Sequence, residues 1–368
     1  MVDLHGQYLR IKPDIDGAIQ QVLDSTAFIQ GPQVDDFAHS LAAFLNTEKV
    51  ITCANGTDAL QIAMMALDLK PQDEIILPVF TYVATAEVIA LLGLTPVFAD
   101  VNEETFNIDT ENLEHLVTDK TKAIVPVHLF GQHAEMESIL NIASAHHIHV
   151  IEDAAQSLGA EYQFSNGLKK KSGTMGTVGT TSFFPSKNLG CFGDGGALST
   201  SDKLLAEKIK MIANHGQKVK YNHDCIGVNS RLDTIQAAVL LVKLKHLEAY
   251  EQKRNDAARY YDHALKNISE VKIPVRMKNS THVFHQYTLR VEKRDELKTY
   301  LDKKGVPSMI YYPVPLHLQK AYAGFHHVGS FPVAERLSKE VISLPMHTEM
   351  TEAQLNYICT SVKEFYHG

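Results

Sequence analysis

The chain is poor in the features that mark disulfide-rich, zinc-binding and membrane proteins. Its 368 residues include no tryptophan and only four cysteines, Cys53, Cys191, Cys225 and Cys359, which form no C-x-x-C pair. Such scattered cysteines argue against a disulfide framework or a zinc ribbon and favour a reducing compartment. No run of roughly 18 apolar residues occurs, and the first residues lack a basic start followed by an apolar stretch. We therefore expect a cytoplasmic protein that is neither exported nor embedded in a membrane.

Motifs for nucleic acids, metals and dinucleotides are missing as well. The net charge is −8, and the longest basic block is the short run 169–171, so we expect no nucleic-acid partner. The 19 histidines show neither H-E-x-x-H nor another metal-ligand spacing, and no metal site is expected. Neither G-x-G-x-x-G nor G-x-x-x-x-G-K-[ST] occurs. An anionic ligand must therefore be held by some other local site.

The composition that is present is typical of a soluble globular protein. Apolar residues make up 45% of the chain and charged residues 21%, while 21 glycines and 13 prolines are too few for a fibrous or disordered chain. A chain of this length is long for one simple core. We expect two domains, or one large α/β domain with a smaller appendage.

Short apolar runs alternate with helical patterns over the first two-thirds of the chain. This alternation predicts a mainly parallel sheet with helices on both faces. A helix with one apolar face is predicted between the first two runs, and its apolar positions are Leu60, Ala63, Met64 and Leu67. The predicted strands are 49–52, 74–77, 96–99, 123–128, 149–152, 181–184 and 196–199.

The pattern changes near residue 230, where a long helix is predicted to continue towards Asn255 and to bridge two domains. Beyond it we expect a smaller α+β unit. Its predicted elements are a strand at 284–291, a helix at 294–304 ended by Gly305, a strand at 309–312 and two C-terminal helices. The predicted division is a large domain over residues 1–245 and a smaller C-terminal α+β domain over residues 246–368.

The segment 53–60 lies where a predicted strand ends and a helix begins. The start of a helix offers unpaired N–H groups and a partial positive charge, and Gly56 lets the backbone approach a phosphate closely. A purely structural interpretation also fits, because Asn55 or Thr57 would cap such a helix.

The segment 150–157 contains a buried-looking strand that ends in an acid. In open α/β sheets the carboxyl ends of the strands face the ligand crevice, so Asp153 is well placed to hold a charged ring nitrogen or a metal. An aspartate at this point is equally suited to cap a helix.

The segment 180–190 places Lys187 directly after an apolar strand, and a glycine-rich return follows at 193–196. A lysine that is desolvated there loses its proton easily and can form a Schiff base. The alternative is an ordinary loop lysine.

Together the three segments meet the needs of pyridoxal 5′-phosphate (PLP): N–H donors for the phosphate, a carboxylate for the pyridine nitrogen and a lysine for the aldehyde. The same segments resemble the sugar aminotransferases of the DegT/DnrJ/StrS group, which are PLP-dependent enzymes of fold type I that aminate keto groups on nucleotide-linked sugars. The resemblance covers nearly the whole chain. It is carried by the segments 3–4, 31–32, 55–57, 152–156, 182–187, 227–233, 236–238 and 312–317.

The resemblance implies a role for each matching residue. Lys187 matches the catalytic lysine that binds the cofactor and shuttles the proton, Asp153 matches the partner of the pyridine nitrogen, and Gln156 matches the neighbour of the ring hydroxyl. The remaining implied cofactor contacts are Gly56, Thr57 and Ser182 at the phosphate, Tyr82 on the ring, and Asn229 from the neighbouring subunit. This last match implies a homodimer with shared active sites.

The resemblance also implies glutamate as the amino donor. Its details are most similar to the branch that acts on 3-keto sugars, so the expected acceptor is UDP-2-acetamido-2-deoxy-3-oxo-hexuronate, for the synthesis of bacterial surface polysaccharides such as O-antigen. Arg231 would bind the sugar carboxylate through paired N–H donors. The other expected substrate contacts are His215, Tyr312 and His317, although Tyr312 and His317 would alternatively pack the junction between the domains.

Other functions remain open at this stage. One is the same chemistry on a 4-keto sugar or on a dTDP-linked 3-keto sugar. A second is a PLP-dependent dehydratase, but relatives of that kind carry histidine where this chain has Lys187, so transamination is favoured. A third is a PLP-binding regulatory protein that does not turn over, which turnover with glutamate would exclude.

Overall fold

The computed structural model describes residues 1–322 and 327–368. In these residues the helices, in chain order, are α1 Leu4–Arg10, α2 Lys12–Ser25, α3 Pro32–Leu45, α4 Gly56–Ala66, α5 Ala84–Leu91, α6 Met136–His146, α7 Lys203–Ala213, α8 Thr234–Leu244, α9 Leu247–Leu265, α10 Arg294–Lys303, α11 Pro332–Glu340 and α12 Glu352–His367. None of the helices in the described ranges is both long and apolar enough to span a lipid bilayer.

The strands of the described residues form one large sheet, one three-stranded sheet and two hairpins. In chain order they are β1 Lys49–Cys53, β2 Glu74–Pro78, β3 Thr95–Ala99, β4 Thr121–Ile124, β5 His149–Asp153, β6 Glu161–Gln163, β7 Lys169–Lys171, β8 Val178–Ser182, β9 Gly196–Thr200, β10 Gln217–Val219, β11 Asn222–His223, β12 Val271–Lys272, β13 Tyr287–Val291 and β14 Val341–Leu344.

The large sheet has the order β1-β9-β8-β5-β4-β2-β3. The five strands from β8 to β3 pair in parallel, whereas β9 runs antiparallel to both of its neighbours. Strands such as β2, with the sequence EIILP, are buried on both faces, as expected for strands covered by helices on either side. The predicted mainly parallel sheet is therefore confirmed.

Two strands of this sheet end earlier than their apolar patterns predict. The strand predicted at 181–184 is β8, four of whose five residues, a Gly and two Thr among them, are buried. The Thr180 hydroxyl donates to the Glu152 carbonyl at 3.0 Å, which lets such a polar strand lie in the sheet. The strand predicted at 123–128 is β4 and ends at Ile124, because Pro126 has no N–H to continue the ladder.

The long helix predicted from residue 230 to Asn255 is two helices, α8 and α9. They are separated at Lys245 and His246, where the His246 N–H donates to the Lys243 carbonyl at 2.9 Å. Such i→i−3 bonds tighten the end of a helix. No proline or glycine marks this break, so the hydrophobic pattern alone does not reveal it. We propose that the domain boundary predicted at 245/246 lies at this break.

The smaller sheet, β12-β13-β14, packs against α9, α10 and α12 around a core that includes Tyr261, Leu289, Leu297 and Ile358. The strand predicted at 284–291 begins only at Tyr287. The strand predicted at 309–312 is wrong: Met309 makes a single bridge to Ser343. Strand β14, which pairs with β13 instead, was not predicted from the sequence.

Candidate active site

A cavity of about 830 Å³ opens where β5 and β8 end. In α/β sheets this carboxyl edge is where ligands bind. All three segments singled out in the sequence reach the cavity, which is lined by Gly56, Thr57, Tyr82, Asp153, Gln156, Ser182 and Lys187 together with residues of the C-terminal part, Tyr312 among them.

The start of α4 forms a cradle suited to a phosphate. The Asn55 side chain caps the helix by accepting the Asp58 N–H at 2.8 Å, so the structural interpretation of this segment is also correct. The N–H groups of Gly56 and Thr57 have no partner within the helix, because the first turn lacks carbonyls to accept them. A Cβ on Gly56 would lie 2.7 Å from the Cβ of Ser182, so only glycine lets the cradle approach β8 this closely.

The Asp153 carboxylate is held at the end of β5 by two hydrogen bonds. Oδ2 accepts from the Thr85 hydroxyl at 3.0 Å, and Oδ1 accepts from the Ala155 N–H at 3.1 Å. Asp153 is 7% exposed and is followed by turns, not by a helix, so the helix-cap alternative is wrong. The two bonds fix the orientation of the carboxylate, which can accept a hydrogen bond from a protonated ring nitrogen.

Lys187 lies in a tight turn after β8, with its N–H donating to the Phe184 carbonyl at 2.8 Å. Burial lowers the pKa of its amine from 10.5 to about 8, while the negative charge of Asp153 opposes this shift. An amine with such a pKa is partly unprotonated near neutral pH and can act as a nucleophile and as a base. The loop-lysine alternative does not describe this environment.

Gln156 links two walls of the cavity. Its Oε1 accepts the Phe130 N–H at 2.7 Å, and its Nε2 donates to the Tyr312 hydroxyl at 3.2 Å. Burial raises the pKa of Tyr312, so the phenol stays protonated. The Tyr82 ring, which is 59% exposed, lies 6.4 Å from the Tyr312 ring, centroid to centroid. Tyr312 thus lines the cavity together with the residues expected to bind the cofactor.

Three predicted site residues lie outside this cavity within one chain. His215 and Asn229 are exposed, and Asn229 makes a bridge to Asn214. Arg231 lines a separate cavity of about 580 Å³. The roles of these residues at a neighbouring subunit's site stay predictions.

His317 is placed differently from a substrate contact. Its side chain is fully buried, Nε2 lies 3.0 Å from a Glu335 carboxylate oxygen, and its ring packs edge-on against Phe331. It does not line the cavity. This arrangement matches the packing alternative that the sequence left open.

The sequence did not single out several residues that build the site. Glu152, next to Asp153, is fully buried and accepts the N–H groups of Gly173 at 2.9 Å and Gly176 at 2.6 Å, which fixes the loop before β8. His128 Nε2 lies 3.0 Å from the same carboxylate. His285 and Thr85 were also missed, because their partners are distant in the sequence and no local motif marks them.

A reactive lysine, a fixed carboxylate and a phosphate cradle on a mainly parallel sheet describe an enzyme that handles amino groups with a phosphorylated cofactor. A model of the DegT/DnrJ/EryC1/StrS aminotransferase family matches residues 10–363. The chain belongs to this family. The expected family, enzyme class and fold are thereby confirmed.

Curated relatives are similar over essentially their whole length. A "pleiotropic regulatory protein" of Geobacillus stearothermophilus is 47% identical and covers 100% of this chain and 98% of its own. The UDP-2-acetamido-2-deoxy-3-oxo-D-glucuronate aminotransferase of Pseudomonas aeruginosa is 46% identical, with 98% of both chains covered. The dTDP-3-amino-3,4,6-trideoxy-alpha-D-glucose transaminase of Streptomyces venezuelae is 38% identical, with 99% of this chain and 95% of its own covered.

Solved structures show the same fold. DesV from S. venezuelae superposes with a TM-score of 0.96 at 38% identity, over 100% of this chain and 98% of its own. NtdA from Bacillus subtilis, solved with bound cofactor PMP, has a TM-score of 0.88 at 32% identity, and the match covers 97% of this chain and 82% of NtdA. The PLP form of the putative sugar aminotransferase Spr1654 from Streptococcus pneumoniae has a TM-score of 0.89 at 25% identity, and the match covers 96% of this chain and 95% of Spr1654.

Proposed function

We propose that this aminotransferase transfers the amino group of glutamate to the 3-keto group of a UDP-linked sugar acid, UDP-2-acetamido-2-deoxy-3-oxo-hexuronate, in the cytoplasm. The observation that carries the chemistry is the burial of the Lys187 amine, with a pKa of about 8, in the cavity that also contains Asp153 and the α4 cradle. The similarity to the P. aeruginosa enzyme supports the acceptor. The product would serve the synthesis of surface polysaccharides.

Pyridoxal 5′-phosphate is the cofactor, and the residues present fit it. Gly56, Thr57 and Ser182 would hold its phosphate, and Asp153 its pyridine nitrogen. When bound, PLP supplies the aldehyde that accepts an amino group and a ring that takes up the electrons of the adjacent C–H bond. Two features are consistent with a bound phosphorylated ring: the close approach of Gly56 to Ser182, and the buried hydroxyl of Thr81 in the cavity wall, which has no hydrogen-bond partner in the described part of the chain.

The chain's own residues carry the proton transfers. Asp153, held in place by the Thr85 hydroxyl and the Ala155 N–H, would accept a hydrogen bond from the protonated pyridine nitrogen. The Lys187 amine, with its lowered pKa, would act as the base that takes the α-proton of glutamate and then as the acid that gives it back. Gln156 and Tyr312 hold the opposite wall in place through their 3.2 Å hydrogen bond.

The charge of the cavity supports a shared site. Lys187 is the only lysine or arginine among the described residues that line it, whereas Asp58, Asp153 and Asp194 contribute three carboxylates. The cofactor phosphate, the pyrophosphate and the sugar carboxylate all bring negative charge, so further cations are needed. We infer that Arg231 of the partner subunit supplies one, in a homodimer.

The surface near this loop is suited to an interface. Exposed large apolar residues, Tyr221 at 79% and Ile226 at 86%, lie on the segment before Asn229 and Arg231. A second chain packed against this segment would remove their apolar surface from water, which favours association. They support the dimer in which Asn229 reaches the neighbouring phosphate.

Product analysis tests the acceptor. Enzyme, PLP and glutamate are incubated with UDP-2-acetamido-2-deoxy-3-oxo-glucuronate, with a dTDP-linked 3-keto sugar and with a UDP-linked 4-keto sugar, and the amino sugars are identified by mass spectrometry. Exclusive or strongly preferred amination of the first supports the proposal. Preference for either of the others refutes the acceptor but not the aminotransferase.

A regulatory function is the second candidate, because the Geobacillus relative has that name. In that case the protein would bind the cofactor without aminating any sugar of the same panel. Formation of 2-oxoglutarate from glutamate, coupled to amino-sugar formation over many turnovers, would exclude a purely regulatory role.

A further inference from the structure

His285 lines the same cavity as Lys187 but has no task in the function described above. The residue is 6% exposed, and its ring nitrogen Nδ1 is buried without a hydrogen-bond partner among the residues that the structure describes. Because the side chain borders the cavity, Nε2 is the ring nitrogen that remains to contact a ligand there. A buried polar side chain without a partner is rare in folded proteins and requires an explanation.

The backbone around His285 is fixed from three sides. Arg254 Nη1 donates to the carbonyl of the preceding residue at 3.0 Å, and Asn188 Nδ2 donates to the carbonyl two residues earlier at 3.1 Å. A Cβ on Gly131, which has a φ of +110°, would lie 3.0 Å from the His285 nitrogen, so this approach requires glycine. Asn188 follows Lys187 directly, so its hydrogen bond connects the backbone before His285 to the turn that carries Lys187.

The imidazole of His285 is neutral. Burial, and then the charges of Lys187 and Arg254, hold its pKa well below the ordinary value. Lys187 and Arg254 both bring positive charge to the surroundings of the ring, and a buried N–H without an acceptor is rarer in proteins than a buried acceptor without a donor. A lone pair on Nδ1 is therefore favoured over an N–H, and the hydrogen is on Nε2, facing the cavity.

We propose that His285 binds the α-carboxylate of the amino donor, with Nε2–H donating a hydrogen bond to a carboxylate oxygen. The inference rests on the proposed function, since the α-carbon of the donor must lie close to the Lys187 amine that removes its proton. The carboxylate on that carbon then lies on the cavity wall near Lys187, where His285 supplies a ring N–H that makes no hydrogen bond to another described residue. No covalent bond forms or breaks at His285.

The test compares His285→Phe with His285→Gln, whose amide nitrogen stands close to the Nε2 position. The rate at which glutamate bleaches the absorption of the bound cofactor is measured against glutamate concentration. We expect His285→Phe to raise the half-saturating glutamate concentration about 10- to 100-fold with a much smaller change in the limiting rate, and His285→Gln to recover most of the loss. An unchanged half-saturating concentration in His285→Phe would overturn the proposal, as would equal losses in both variants.

A second measurement does not depend on turnover. In the holoenzyme with ¹⁵N-labelled histidine, the His285 signals, assigned with the two variants, should show a neutral ring with hydrogen on Nε2. Hydrogen on Nδ1 would overturn the proposal even if the kinetic result agreed. A wild-type spectrum that does not respond to glutamate at all would instead refute the proposed amino donor, and the NMR result would then decide on His285 alone.

Discussion

The hydroxyl of Ser230 donates a hydrogen bond to Asp58 Oδ2 at 2.6 Å and accepts one from the Ala54 N–H at 3.0 Å. Asp58 lies in the first turn of α4, whose start forms the phosphate cradle, whereas Ser230 lies between Asn229 and Arg231. This pair therefore attaches the loop that contains Asn229 and Arg231 to the phosphate cradle of the same subunit. We propose that the same loop reaches the active site of the neighbouring subunit.

Breaking this pair should weaken both stability and cofactor binding. Ser230 is fully buried, and Ser230→Ala removes a hydrogen bond to a carboxylate, so we expect a loss of about 1 to 3 kcal/mol in the free energy of unfolding. PLP affinity should fall as well. The control is a double-mutant cycle with Asp58→Ala, measured by urea denaturation: the double variant should lose much less than the sum of the single losses. Strictly additive losses would show that the two residues act independently.

Burying the Lys187 amine should destabilise the cofactor-free protein. Because its pKa is about 8 in the folded state against 10.5 in the unfolded state, the unfolded chain binds more protons between these values and stability rises with pH there. Below pH 8 the full cost, about 3 kcal/mol, is present. Lys187→Met should therefore be more stable than wild type at pH 7, and this advantage should fade as the pH rises towards 10.5. Urea denaturation of both cofactor-free proteins at pH 7 and pH 10 checks the sign, and a less stable Lys187→Met at pH 7 would contradict the burial argument.

The charge on Asp153 should matter more than its size. Asp153→Asn keeps the shape but cannot hold the proton on the pyridine nitrogen, and we expect at least about a 100-fold slower reaction with glutamate. Thr85→Val removes only the hydroxyl bonded to Oδ2 and should slow the reaction about 10-fold. Stopped-flow absorption gives both rates, with thermal unfolding as the control for folding. Near-wild-type rates in Asp153→Asn would refute the assigned role.

Mixing inactive subunits tests the shared site. If Arg231 acts across the interface, Arg231→Ala and Lys187→Ala are each inactive alone, but their mixed dimer contains one site with an intact Lys187 and an intact partner Arg231. Activity should then return after subunit exchange. Exchange is verified separately by mass spectrometry of differently tagged subunits, and proven exchange without recovery would place Arg231 in the function of its own subunit only.

Much of the fold could be predicted from the sequence because parallel strands buried on both faces leave a simple apolar pattern, as in β2. The pattern failed where hydrogen bonds, not apolar contacts, set the local structure. Strand β8 contains Thr180, whose hydroxyl bonds to a neighbouring strand, and the break between α8 and α9 depends on one backbone hydrogen bond at His246. Neither feature has a local sequence signal.

The candidate site likewise contains residues with a local sequence signal and residues without one. Lys187, Asp153 and Gly56 each belong to a segment whose local sequence already indicates chemistry, and the structure brings the three to one cavity. His285 reaches that cavity through contacts with residues far away in the chain, such as Arg254, which no local motif reveals. Arg231 was predicted from family resemblance. Its proposed role requires a second subunit, so its position in a single chain does not reveal that role.

The most direct test of the central claim is the visible absorption spectrum of the purified protein reconstituted with PLP, recorded before and after glutamate is added. The account predicts a yellow band that bleaches with glutamate and returns when UDP-2-acetamido-2-deoxy-3-oxo-glucuronate is added, and it predicts no covalently attached cofactor in Lys187→Ala after borohydride reduction. A wild-type protein that shows no band with excess PLP would contradict the account. So would a band that glutamate leaves unchanged.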